Sequence, residues 1–137
     1  MENYVLLLIV LALASAFGFW HKRSRGSFKT HKIVEGHRFT AEDLGRNLGS
    51  RATMVQFSSA FCAPCRATYV LLDHMVTTMD DVVHVQLDAE NNLELVRELD
   101  VRSTPTTIFV DRNGIEVGRA AGRPTREQVL AALAQIK

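Results

Sequence analysis

The sequence predicts an α/β fold with a single core, preceded by one N-terminal transmembrane helix. Apolar, β-branched runs alternate with helix-like segments over most of the chain, which is typical of a central mixed sheet flanked by helices. Near the N-terminus, by contrast, the run YVLLLIVLALASAFGFW carries no charge. We therefore expect a transmembrane anchor at residues 1–21, a basic linker at residues 22–32 and a folded domain at residues 33–137.

The composition restricts the classes of protein to which the chain can belong. Its 137 residues, of which 47% are hydrophobic, suffice for one domain with one core. The net charge is +1, and no basic patch is interleaved with aromatic residues. We therefore expect no nucleic-acid partner.

The uncharged run, Tyr4–Trp20, has the length of a membrane anchor. As a helix, its about 17 residues rise roughly 26 Å, which is close to the thickness of a bilayer core. Because basic residues follow this run, the positive-inside rule places the domain in the cytoplasm, at a cell membrane. These residues are Lys22, Arg23, Arg25, Lys29 and Lys32. Two alternatives stay open: a signal peptide cleaved near ALASA, with an extracytoplasmic domain, and a buried core helix.

The first half of the domain predicts strands and helices in alternation. HKIV (31–34) is a short strand, and TAEDLGRNL (40–48) is a helix that opens with a capping box of Thr40 and Asp43. The apolar segment ATMVQFS (52–58) is a buried strand. A long helix (64–79) follows, with a proline in its first turn. Its predicted buried stripe consists of Val70, Leu71, Met75 and Met79.

The second half continues the alternation and ends with a hairpin and a helix. Strand VVHVQLD (82–88) precedes a helix (91–100), which Asn91 or Asn92 caps and which buries Leu95 and Leu99. Strand TTIFVD (106–111) leads through the turn DRNG into strand IEVGRAAG (115–122). The last helix (125–136) has a capping box of Thr125 with Gln128. Helices between strands predict parallel pairing, and the hairpin predicts an antiparallel edge.

Both cysteines of the chain lie in SSAFCAPCRATYV, between a predicted strand and a predicted helix. Cys62 falls near the helix N-cap, where free N–H groups and the helix dipole favour an attacking thiolate. Cys65 lies one turn further and is expected to be more buried. A reactive thiolate beside a resolving thiol forms a dithiol–disulfide couple.

Two other uses of this cysteine pair are less favoured. A zinc site needs four ligands, and the sequence offers neither a second cysteine pair nor histidines at suitable spacing. A purely structural disulfide would close a loop too short to stabilise the fold much. We therefore expect no metal and no cofactor other than the redox-active Cys62–Cys65 disulfide.

From about Ile33 to Lys137, the chain resembles the thioredoxin family. CAPC opens a helix after a strand, and STPTTIFV matches the second family signature. The resemblance implies a cis proline at Pro105 that faces the active-site disulfide, with Thr104 free to pair with an extended substrate segment. It also implies that Gly122 lets a partner backbone approach. The implied substrate groove consists of Phe61, Ala63, Pro64, Thr104, Pro105 and Gly122.

The sequence departs from the family where a buried aspartate helps the second thiol to lose its proton. Gln56 stands at that position, and a neutral amide cannot take a proton. His84 matches the family's lysine on the neighbouring strand, so it is either a substitute for proton transfer or a packed strand histidine. Three further family residues are replaced, and these changes affect rate and redox poise rather than dithiol chemistry. They are two tryptophans, replaced by Ser58 and Phe61, and a helix-kinking proline, replaced by Val70.

The resemblance implies a membrane-tethered thiol–disulfide oxidoreductase that reduces protein disulfides. Its partners would be protein disulfide substrates and an upstream reductase or dithiol donor. One alternative is a non-catalytic scaffold that uses the groove to hold a partner. Another is an extracytoplasmic redox factor for cytochrome maturation or oxidative folding.

Overall fold

The computed structural model describes residues 2–23, 28–29 and 37–137, and the predicted strand at 31–34 lies outside these residues. Helices and strands alternate from the N-terminus to the C-terminus. They are α1 (Glu2–Arg23), β1 (Phe28–Lys29), α2 (Ala41–Leu44), β2 (Ala52–Ser58), α3 (Ala63–Val76), β3 (Val82–Asp88), α4 (Leu93–Glu98), β4 (Thr106–Asp111), β5 (Glu116–Ala121) and α5 (Arg126–Ala134).

The strands form one mixed sheet in the order β1-β5-β4-β2-β3. β2 lies between β3, with which it is parallel, and β4, with which it is antiparallel. β5 is antiparallel to β4 and to β1. The predicted hairpin is confirmed, because the Gly114 N–H donates to the Asp111 carbonyl at 3.0 Å between β4 and β5. All seven residues of β2 are buried, as expected for a central strand.

The predicted parallel pairing is confirmed for β2 and β3 but is wrong for β4. The connecting helix α4 has only six residues, so it rises ~9 Å. A seven-residue strand such as β3 spans ~23 Å. The path of the whole connection 89–105 leaves β4 starting at the same end of the sheet where β3 finishes, because Asp88 pairs with Ser58 and Thr106 with Phe57. β4 therefore runs antiparallel to β2.

Apolar residues pack on both faces of the sheet. On one face, α3 and α5 cover a cluster that includes Met54, Leu72, Phe109 and Leu133. On the other face, a second cluster includes Phe57, Leu99 and Ile108, with Leu95 packed against it. Of the two leucines predicted to be buried, Leu99 is buried at the C-cap of α4, and Leu95 is partly buried.

The predicted buried stripe of α3 is wrong at Val70, which is 65% exposed. The residues of α3 that are buried are Cys65, Thr68, Leu72 and Met75. Their spacing of three and four residues defines one face of a helix, and Val70 falls outside that face.

Both predicted capping boxes are present, one at Thr40 with Asp43 and one at Thr125 with Gln128. The helix predicted at 40–48 is shorter than expected, because Gly45 adopts a left-handed conformation (φ +67°) and ends α2. Asn92 is the N-cap of α4, but its side chain makes no capping hydrogen bond.

Helix α1 contains the stretch Asn3–His21, which is long and apolar enough to cross a membrane. In the described part of the chain, it is the one helix that meets this test. A signal sequence near an N-terminus also has these properties. The large apolar side chains of the stretch are exposed, so the helix does not contribute to the core of the domain.

Candidate functional site: a cysteine pair at the start of helix α3

The two cysteines lie at the junction between the interior strand β2 and helix α3. Cys62 is the N-cap of α3, and its Sγ accepts a hydrogen bond from the Cys65 N–H at 3.2 Å. Pro64 occupies the first turn, as predicted. The sulfur atoms of Cys62 and Cys65 are bonded at 2.04 Å, with the Cα atoms 5.2 Å apart.

The two sulfurs differ in their access to solvent. Cys65 is 2% exposed, whereas Cys62 is partly exposed at the helix end. In the reduced protein, the backbone N–H that points at Cys62 and the positive end of the α3 dipole both favour a thiolate there. The arrangement therefore provides one accessible nucleophile and one sheltered thiol next to it.

Phe61, directly before the nucleophile, projects into solvent. Its side chain is fully exposed, and its φ of +58° lies in the left-handed region that bulky residues rarely adopt. Ala63 and Pro64 are also exposed. These three predicted groove residues therefore surround Cys62 with a small apolar surface.

Two further loops contribute the other predicted groove residues, one before β4 and one after β5. The Thr104–Pro105 peptide bond is cis, as predicted. The Thr104 hydroxyl lies 2.9 Å from that of Ser59, which precedes the cysteines. The Gly122 N–H donates to the Pro105 carbonyl at 2.8 Å, and Gly122 has a left-handed φ of +83°. The structure thus links the loops of Ser59, Thr104 and Gly122.

A polar cluster lies behind Cys65, and we call its members Gln56, Ser58, His84 and Gln86 the Gln56 cluster. The first three are buried, and Gln86 is exposed at the edge of the cluster. Gln56 donates from Nε2 to the Cys65 carbonyl and to the Ser58 hydroxyl, both at 2.9 Å. Its Oε1 lies 3.1 Å from Nε2 of His84. Because both amide hydrogens are engaged, the oxygen faces His84, whose Nε2 must carry the hydrogen.

His84 is buried and neutral near pH 7. Burial lowers its pKa to about 4, and Arg46 adds to this, while Asp73 acts in the opposite direction. The ring of Tyr69 packs against it, with centroids 5.1 Å apart. His84 is therefore packed in the sheet, and its described hydrogen bond is made with Gln56.

Sequence reasoning missed Gln86 and Tyr69. Gln86 donates from Nε2 to the Ser58 hydroxyl at 3.0 Å, so this hydroxyl accepts two hydrogen bonds. A signal for Gln86 was present, because residues two apart on a strand share a face and His84 is its neighbour. No comparable signal existed for Tyr69, whose contact depends on how α3 packs across the sheet.

Thr107 lies opposite Gln56 in the pairing of β2 with β4. Its hydroxyl is buried and has no hydrogen-bond partner among the described residues. Within the described ranges, no group of three or more histidine, cysteine or acidic residues is arranged to hold a metal ion.

The chain is similar in sequence and in fold to thioredoxins. The family model of thioredoxin matches residues 36–135. Thioredoxin H5 of Oryza sativa subsp. japonica is 35% identical over 83 residues, which cover 61% of this chain but only 59% of the relative. Thioredoxin H4-1 of the same organism is 29% identical over 106 residues, 76% of this chain and 72% of the relative.

Solved thioredoxin structures share the fold. Fasciola hepatica thioredoxin superposes with a TM-score of 0.57 at 24% identity, covering 65% of this chain and 84% of that chain. Thioredoxin f from spinach chloroplast has a TM-score of 0.56 at 25% identity, covering 64% of this chain and 77% of that chain. Since the family model spans more than half of the sequence, the chain belongs to the thioredoxin family.

Proposed function

We propose that the protein is a thiol–disulfide oxidoreductase that reduces protein disulfides through Cys62 and Cys65. The observation that carries this proposal is the position of the pair at the start of α3. Cys62 is partly exposed and accepts a backbone hydrogen bond, whereas Cys65 is sheltered. This asymmetry suits a nucleophile and a resolving thiol, and a scaffold that only holds a partner would not need it.

The reaction moves two electrons from the cysteine pair to the substrate. The Cys62 thiolate attacks one sulfur of the substrate disulfide, and the other substrate sulfur leaves as a thiolate that is protonated by water. Cys65 then loses its proton and attacks the Cys62 sulfur, which releases the second substrate thiolate. The protein ends with the Cys62–Cys65 disulfide, and an upstream reductase or dithiol donor must restore the dithiol.

The predicted groove residues would position the substrate around Cys62. Phe61, Ala63 and Pro64 offer apolar surface on the side of the cysteines. On the other side, the loop of Thr104 and Pro105 offers backbone to an extended segment. This assignment rests on the place of Phe61, Ala63 and Pro64 beside Cys62 in the chain and on the contact of Thr104 with Ser59, and no cofactor other than the cysteine pair is needed.

Reduction of insulin disulfides by the full chain in detergent tests the proposed function. With dithiothreitol as donor, the wild type should accelerate precipitation of the insulin B chain well above background, and Cys62→Ser should not. A Cys65→Ser variant should instead accumulate a covalent mixed disulfide at Cys62. Equal rates for wild type and Cys62→Ser would contradict the enzyme and favour the scaffold.

We further propose that α1 anchors the protein in a cell membrane with the domain in the cytoplasm. An exposed apolar helix and the basic residues after it support this proposal. Fluorescent-protein and alkaline-phosphatase fusions at the C-terminus test it, since only the former should be active. Active phosphatase would place the domain outside, and a shortened N-terminus in the mature protein would indicate a cleaved signal peptide.

A further inference from the structure

The Gln56 cluster is connected to Cys65 through the backbone and not through the thiol. Gln56 is completely buried and uses both hydrogens of its amide, one of them on the Cys65 carbonyl at 2.9 Å. This bond ties the first turn of α3 to the central strand β2. It therefore holds the backbone of Cys65 against the sheet, and with it the first turn of the helix that Cys62 caps, the two Cα atoms being 5.2 Å apart.

The cluster offers no group that can take a proton from Cys65 near neutral pH. The amide of Gln56 is not basic, and the Nε2 atom of His84 that faces it already carries hydrogen. A neutral imidazole is the form that accepts protons, but burial lowers the pKa of the His84 ring to about 4, so it is a much weaker base than a free histidine.

The elements packed around His84 bring few charged groups. Tyr69 of α3 contacts its ring, and Asp73 of α3 and Arg46 act on it with opposite sign. Thr107 of β4 faces the cluster across β2, and the buried residues of α5 are apolar. Asp73 and Arg46 are thus the charged groups that act on His84, with opposite sign, whereas its described contacts Tyr69 and Gln56 are uncharged.

We propose that Gln56 is a positioning residue for the resolving cysteine, and that Cys65 loses its proton to water rather than to a protein base. This inference rests on the proposed thiol–disulfide chemistry. In the mixed disulfide, the Cys65 S–H bond breaks, its proton goes to solvent, and its electron pair forms the bond to the Cys62 sulfur. The substrate sulfur leaves with the electrons of the broken bond.

The reagent 5,5′-dithiobis(2-nitrobenzoate) distinguishes the attack by Cys62 from the resolution by Cys65, because each step releases one coloured thiolate. Reduced full-length protein in detergent, mixed with excess reagent in a stopped-flow instrument, should release one coloured thiolate through Cys62. It should release a second when Cys65 resolves the mixed disulfide. The second phase should not depend on reagent concentration, and Cys65→Ser should lack it. Because this leaving thiolate is weakly basic, it does not accept the Cys65 proton.

In the wild type, the rate of the second phase should rise about tenfold per pH unit and level off once the Cys65 thiol is ionised. The profile should show this one ionisation. His84→Gln keeps an N–H donor and removes the titratable ring, so it should retain this pH dependence. A second ionisation in the wild-type profile that disappears in His84→Gln would overturn the proposal, because His84 would then be the base.

Variants of Gln56 test its positioning role. Gln56→Met keeps the length of the side chain but releases the Cys65 carbonyl, so it should slow the second phase about tenfold more than the first, with the pH profile unchanged in shape. Gln56→Glu supplies a carboxyl group and should add a second ionisation to the profile. Equal slowing of both phases in Gln56→Met, or none, would overturn the role of Gln56.

These results are distinguishable from a failure of the proposed function. A protein that shows both phases with the expected pH dependence but does not reduce insulin would retain the inference about Gln56 and lose the reductase. A protein that reduces insulin but whose pH profile shows a base at His84 would retain the proposed reductase and lose the inference that water takes the proton.

Discussion

At the scale of single residues, His84 should couple the stability of the domain to pH. Its pKa is about 4 in the folded protein and about 6.5 when the chain is unfolded. The unfolded state therefore binds the proton more readily. The stabilising contribution of neutral His84 to the free energy of unfolding is complete above pH 6.5 and is lost as the pH falls towards 4. The full loss corresponds to about 3 kcal/mol.

Urea unfolding of the full chain in detergent at pH 7 and at pH 4 measures this effect. His84→Gln should lose less stability between these pH values than the wild type does, by about 3 kcal/mol. His74→Gln, at the exposed end of α3, is the matched control and should behave as the wild type does. An unchanged pH dependence in His84→Gln would mean that the ring is not buried as a neutral group.

The adjacent residues Thr106 and Thr107 should respond in opposite ways to replacement by valine. The Thr106 hydroxyl donates to the Ser103 carbonyl at 2.7 Å, so Thr106→Val should destabilise the protein by about 1 kcal/mol. The Thr107 hydroxyl is buried without a partner among the described residues, so Thr107→Val should stabilise it by about 1 kcal/mol. Equal destabilisation of both variants, measured by urea unfolding, would show that the Thr107 hydroxyl has a partner.

The sequence was sufficient to identify the reacting residues but not the contacts around them. Spacing and position predicted Cys62 at a helix N-cap and Cys65 deeper in the helix. That Gln56 cannot accept a proton follows from its side chain alone. Its bond to the Cys65 carbonyl could not be predicted, because it depends on where α3 settles on the sheet. The left-handed backbone of Phe61 likewise depends on how the chain turns from β2 into α3.

At the scale of secondary structure, α3 should be sensitive to change on one face only. Leu72 is completely buried, whereas Val70 is 65% exposed. Leu72→Ala should cost about 3 kcal/mol of unfolding free energy because it leaves a cavity, and Val70→Ala should cost less than about 0.5 kcal/mol. Comparable losses in urea unfolding would mean that Val70 is covered, for example by the membrane or by a partner.

Elements with strong local signals were predicted well. The strands at 52–58, 82–88 and 106–111 match the structure, because runs of β-branched residues and the flanking turns mark their ends. The prediction of the direction of β4 is wrong, because that direction depends on the path of the connection 89–105 and not on the residues of β4. Helix α2 was predicted too long, because Gly45 was not recognised as its C-cap.

At the scale of the whole molecule, the fold explains why the cysteine pair lies where it does. β2 is an interior strand between β3 and β4, and its end carries the chain into α3. The two apolar clusters on either side of the sheet hold this junction in place. The exposed helix α1 takes no part in either cluster, which is compatible with a tethered domain.

The standard reduction potential of the Cys62–Cys65 couple in the full chain tests the proposed reductase most directly. Equilibration with glutathione or dithiothreitol, followed by alkylation of free thiols, measures it. A protein that reduces disulfides in the cytoplasm should have a potential more negative than about −240 mV, near the roughly −270 mV of thioredoxin. A potential more positive than about −200 mV would contradict this account and indicate an oxidant or isomerase.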